Sequence, residues 1–167
     1  MRSRALPSLI PAAALALAAC VAPAPPPRPA APPPAAAVPR PPVDWRDLPE
    51  DKGAWRYRTT ATGSEAAFGT SDGPVFVIRC DRPARQVLLI RPGTPAPALR
   101  LTTSYGATTY PAGLVDGMVA VRLAASDPGL DRLAFSRGRF TIEGGGTALV
   151  IPAWAEPGRV IEDCRQP

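Results

Sequence analysis

The chain has 167 residues, 24 of them proline and none histidine, and a formal net charge of +5. Without histidine the commonest general base and the commonest zinc ligand are missing, which excludes histidine-dependent triad hydrolases and histidine-ligated zinc enzymes. The charge is no nucleic-acid footprint: Arg2, Arg4, Arg28 and Arg40 precede the first acidic residue, Asp44, and beyond them 15 basic residues meet 14 acidic ones.

Met1, Arg2, Ser3 and Arg4 make a positive start, and residues 5–19 are apolar apart from Ser8. Such a run is short for a bilayer span and suits an export leader. It ends in Leu17-Ala18-Ala19-Cys20, which resembles the lipobox of bacterial lipoprotein precursors. The resemblance implies cleavage before Cys20 and a diacylglyceryl group on its thiol, with the new amino group usually acylated, and hence a signal peptide over 1–19. Several acyl chains, at about 0.8 kcal/mol per buried methylene, make a lasting anchor. Val21 stands where an Asp would favour inner-membrane retention, so the expected address is the outer membrane, facing the periplasm.

Eleven prolines fall between Val21 and Val43, with alanine and valine supplying most of the rest. No helix or strand ladder forms from such a tract. With Cys20 it makes a linker over 20–43, a polyproline-like spacer reaching roughly 70 Å at about 3.1 Å per residue.

Residues 44–167 are enough for one core and one domain. Asp44 to Pro49 brings the first acidic groups and Trp45. Trp55–Thr59 and Glu65–Phe68 read as strands of a half-solvated sheet, followed by the turn Ser71-Asp72-Gly73-Pro74. Val75–Cys80 and Gln86–Arg91, separated by Asp81-Arg82-Pro83-Ala84, are the most hydrophobic strands and predict a central hairpin. Leu99–Thr103 and Met118–Leu123 follow, with Gly106, Gly113 and Asp116-Gly117 marking turns between them. Asp127 caps a short helix that starts at Pro128 and stops at Gly138. Phe140–Glu143 and Thr147–Ile151 flank three glycines as a hairpin, and Glu156–Cys164 reads as one or two helical turns. The whole predicts a mainly β fold: a small antiparallel sandwich or barrel with one or two short helices.

With lipid on Cys20, Cys80 and Cys164 remain as an even pair, and an oxidising compartment favours a disulfide over two buried free thiols. The glycines at 144–146 lack the following helix and Lys-Ser/Thr pair of a phosphate cradle. Asp127 with Asp131, and Glu162 with Asp163, fit capping and solvation. Ser64, Ser104 and Ser136 have no spaced base to activate them. Three tryptophans, Trp45, Trp55 and Trp154, suit core closure better than the floor of a carbohydrate groove. Arg79, Arg82, Arg85 and Arg91 surround one hairpin and form the candidate anion-binding set, with the outer two meeting across the strands and the middle two at the tip. Solvated faces and ion pairs are the better reading of them, since the arginine-rich composition of the domain inflates any such cluster.

The stretch from Trp45 to Arg165, including Ala134-Phe135-Ser136-Arg137-Gly138-Arg139-Phe140, resembles an uncharacterised envelope domain of alphaproteobacterial lipoproteins. That resemblance implies location and pairing of the two cysteines, and no activity. The expectation is a membrane-anchored lipoprotein displaying a non-enzymatic binding or structural domain. Its partners are the membrane, through lipid on Cys20, and an envelope protein or an anionic glycan or lipid; no cofactor, metal or nucleic acid is expected. The alternatives are a protein inhibitor of an envelope-directed hydrolase such as lysozyme, whose characteristic Ser-Gly-Ser-Gly segment this chain lacks, and a histidine-free hydrolase.

Overall fold

A computed structural model describes residues 44–166, so the leader, Cys20 and the spacer lie outside the described residues. Ten strands form two antiparallel sheets. The first sheet has the order β1-β2-β3-β4-β8-β7, made of Ala54–Thr60, Gly63–Thr70, Gly73–Asp81, Gln86–Arg91, Met118–Ala124 and Gly113–Val115. The second has the order β10-β9-β5-β6, made of Leu149–Pro152, Arg139–Glu143, Ala98–Thr103 and Gly106–Pro111. Neither sheet closes on itself and, among the described residues, no strand joins the two, so the architecture is a sandwich and not a closed barrel.

Side-chain alternation decides which residues join the sheets. From the first sheet Trp55, Phe68, Phe76, Ile78, Leu89 and Val121 point inward to meet Leu99, Leu101, Phe140, Ile142 and Ile151 of the second. Trp55 sits at the junction, with ring centroids 5.5 Å from Phe68 and 6.4 Å from both Phe76 and Phe140. Its indole N–H donates to the Pro152 carbonyl at 2.8 Å, which satisfies the one polar atom that burial would otherwise strand. Each such ring contributes about 1.5–3 kcal/mol of burial. The opposite face of the central strands carries a smaller buried group, Val77, Leu88, Ile90 and Ala120. Burial on both faces explains why β3 and β4 read as continuous apolar runs.

Helix α1, Pro128–Ala134, starts as its sequence predicts, with the Asp127 carboxylate accepting from the Gly129 N–H at 2.7 Å. It ends at Ala134, four residues before Gly138, because Phe135 already leaves the helical conformation. Helix α2, Ala155–Arg165, is 11 residues or about three turns, longer than the one or two read from sequence. Pro157 and Gly158 weaken its helical signal, yet Pro157 lies in the first turn, where its missing N–H has no intrahelical acceptor anyway. Helix α2 packs on β1 to β4 and on α1. Strands β6 and β7 occupy stretches where only turns were expected. Neither helix among the described residues is long and apolar enough to cross a membrane.

The Cys80–Cys164 disulfide joins the end of β3 to the end of α2, with Cα atoms 5.3 Å apart. It ties the helix to the central hairpin across 84 residues of chain. The segment before β1 protects an edge. Asp51 donates its N–H to the Val150 carbonyl and accepts the Val150 N–H through its carboxylate at 2.7 Å, so it occupies hydrogen-bonding positions beside β10.

Candidate binding surface

The four hairpin arginines do not converge. Register places Arg79 opposite Leu88, three residues short of Arg91. The odd offset puts the two on opposite faces of the sheet, so they do not meet across the strands. Arg79 lies on the outer face, where its Nε donates to Glu65 at 2.7 Å. Arg58 donates to the other oxygen of the same carboxylate at 2.7 and 3.0 Å. Cross-strand register aligns Arg58, Glu65 and Arg79 in one row, and Glu65, only 4% exposed, is neutralised from both sides.

Arg91 points inward and is 3% exposed. Its guanidinium donates to the Ile142 carbonyl at 3.0 Å and to the Thr147 carbonyl. Burial pushes its pKa below the ordinary arginine value, opposed by the charge of Asp51. Two of the three glycines fold around it. Gly145 and Gly146 have φ of 72° and 144°, and a Cβ on either would stand 3.3–3.5 Å from Thr94, Val119 or Arg91 itself. The loop is therefore a cradle for an internal guanidinium, not for an external phosphate. Arg91 belongs to the scaffold and is removed from the anion-binding set.

Arg82 and Arg85 do crown the hairpin tip, but on different sides. Arg82, with Thr60, Thr62, Gly63 and Pro83, lines a shallow cleft of about 350 Å³, and its Nε donates to the Asp163 carbonyl at 3.3 Å. Arg85, in a left-handed conformation at φ 51°, borders a separate cleft of about 590 Å³ with Ala124, Ser126, Asp131 and Arg165. Asp131 is bound there by Arg165 at 2.8 Å. Among the described residues Arg85 makes no side-chain ion pair or hydrogen bond, so it is the one hairpin arginine left open to a ligand.

The remaining candidates are mostly spoken for. Asp163 accepts from the Tyr57 hydroxyl at 2.6 Å, and Arg159 lies 3.9 Å over the Tyr57 ring. Burial raises the Asp163 pKa, but the Tyr57 and Ser64 hydroxyls with the charges of Arg159 and Arg82 outweigh it and hold the carboxyl below its ordinary value. Ser136 donates to the Arg139 carbonyl at 2.6 Å, and Ser104 accepts from the Arg137 N–H at 2.9 Å. Ser64 is buried, and its hydroxyl lies near the Asp163 carboxylate. No group of three or more Cys, Asp or Glu among the described residues is placed to hold a metal ion.

Trp55 closes the core as its position suggests, whereas Trp154 is 48% exposed at the start of α2. Two exposed rings were not singled out from sequence. Tyr105, on the β5–β6 turn, and Phe135, at the end of α1, are 55% and 65% exposed and line one cleft with Asp131 and Arg132. The turn marked by Gly106 was the one local signal beside Tyr105, and Phe135 was named only as part of the stretch Ala134–Phe140.

The chain matches no protein-family model, no curated protein and no solved structure.

Proposed function

We propose that this chain is a lipid-anchored lipoprotein of a bacterial envelope, displaying its β-sandwich as a non-enzymatic binding module on the periplasmic side of the outer membrane. The observation that carries the reading is the order of signals at the start of the chain. A positive tetrapeptide, fifteen mostly apolar residues, Leu17-Ala18-Ala19-Cys20 and an 11-proline spacer follow one another without interruption. The Cys80–Cys164 bridge supports it, because such bonds persist in oxidising compartments. Binding rather than catalysis is favoured by the fate of the carboxylates: Glu65, Asp131 and Asp163 are each committed to an arginine or tyrosine.

Lipid on Cys20 would hold the module at a membrane while the spacer stands it clear of the surface. Feeding cells a clickable fatty-acid analogue should label the wild-type chain and move it with outer-membrane fractions. Cys20→Ala should be unlabelled and released from membranes by mild washing. Equal labelling of both would refute the anchor.

A further inference from the structure

We propose that the cleft between Tyr105 and Phe135 binds a single pyranose ring of a glycan chain. The proposal rests on reading the domain as an envelope binding module, and it names the site and the ligand class.

Large apolar rings exposed together on a small domain mark interaction surfaces more often than isolated ones do. Here two of the five exposed large hydrophobic residues of the described chain, 30 positions apart, line the same cleft. Both are held by short polar ties. The Ser104 N–H donates to the Ser136 Oγ at 3.0 Å, the Arg137 N–H returns a bond to the Ser104 Oγ at 2.9 Å, and the Tyr105 N–H donates to the Thr103 Oγ1 at 3.1 Å. The Ser136 hydroxyl then donates to the Arg139 carbonyl at 2.6 Å. The β5–β6 turn and the end of α1 are thus fastened to each other, so the backbone that carries the two rings is set before any ligand arrives, which lowers the entropic cost of binding.

Size selects the occupant. The cleft holds about 210 Å³, less than the roughly 300–1,000 Å³ of sites that enclose a drug-sized ligand. It takes one ring-sized group of a larger molecule. Chemistry then separates a sugar from a partner's apolar side chain. Tyr105 and Phe135 line it with aromatic rings, and its other two lining residues carry polar groups at its border, N–H donors on Arg132 and, on Asp131, the carboxylate oxygen that Arg165 does not take. A pyranose has apolar C–H faces bordered by hydroxyls that both donate and accept, so it uses all four residues. An aliphatic or aromatic side chain would leave the charged pair unused. Arg132 makes no ion pair among the described residues, whereas Asp131 keeps an oxygen on Arg165 at 2.8 Å. Arg132 is therefore the residue expected to engage the hydroxyls first.

The test uses the full chain in detergent micelles with two probes: chitotetraose by calorimetry, and purified peptidoglycan sacculi by co-sedimentation. Wild type should bind both saturably. The Tyr105→Ala, Phe135→Ala double variant should bind at least about tenfold more weakly, while Leu114→Ala, which removes an equally exposed side chain outside the cleft, should bind as wild type does. Phe135→Tyr should retain binding and Phe135→Leu should not, which separates ring stacking from general apolar contact and from misfolding. No saturable binding of either probe, or binding that the double variant leaves unchanged, overturns the proposal. A photo-crosslinker at position 135 in intact cells separates the failures. Capture of one protein with both glycans silent would leave the binding-module reading standing with a protein partner, and no capture with silent glycans would remove both.

Discussion

Arg91 and Ile142 are joined by a hydrogen bond of 3.0 Å that runs from a buried guanidinium on one sheet to a backbone carbonyl on the other. A residue that sequence spacing assigns to an anion-binding edge is instead a strut through the sandwich. Removing it would strand the Ile142 and Thr147 carbonyls and open a cavity. Arg91→Ala should therefore lower unfolding free energy by about 3 kcal/mol or more in urea titrations. Arg91→Lys should recover only part, since an ammonium lacks the fork that reaches both carbonyls. Wild-type stability for Arg91→Ala would return this residue to the surface set.

The cradle around Arg91 depends on backbone freedom. Gly93 has φ 152°, and a Cβ there would collide with the Gly145 carbonyl oxygen, to whose residue Thr94 also donates its N–H at 3.0 Å. Gly93→Ala should cost about 2 kcal/mol or more. Gly113→Ala, at a position with open space and no positive φ, should cost far less. Parallel thermal melts of the two variants make the comparison.

Replacing both Cys80 and Cys164 by alanine should lower stability by about 2–5 kcal/mol, because the bridge closes a long loop and fixes α2 on the central hairpin. Peptide mapping without reduction should recover one linked pair from the purified protein. Free alkylation of both thiols would contradict the bridge.

Asp163 gives the domain an acid-sensitive contact. Its folded pKa lies below the ordinary value of 3.8, so its contribution is fully present above that value and is lost as pH falls through the lower folded one. Tyr57→Phe removes the 2.6 Å donor and should flatten the fall in stability below about pH 4. An unchanged acid limb in Tyr57→Phe would show that other carboxylates govern it.

Much of this fold was legible from residue order, and the failures share a cause. The β3–β4 hairpin was legible because both strands are apolar runs broken by Asp81-Arg82-Pro83, and α1 because Asp127 and Pro128 are strong local start signals. Strand β7 has only three residues, and β6 opens on Gly106 and closes on Pro111, so neither shows a measurable period. The arginine set misled because faces depend on register. Arg79 and Arg91 look symmetric about the turn, yet an offset of three residues sends one outward to Glu65 and the other inward to Ile142. The Tyr105 and Phe135 cleft was invisible because only the fastening of Ser104 to Ser136 brings a turn and a helix end together.

The anchor is the claim on which the functional account turns, and the mass of the mature N-terminal peptide tests it most directly. The account predicts that protein purified from membranes begins at Cys20, with residues 1–19 absent and a diacylglyceryl thioether on that residue. A mature chain that retains Met1, or that begins at Cys20 with an unmodified thiol, would contradict it.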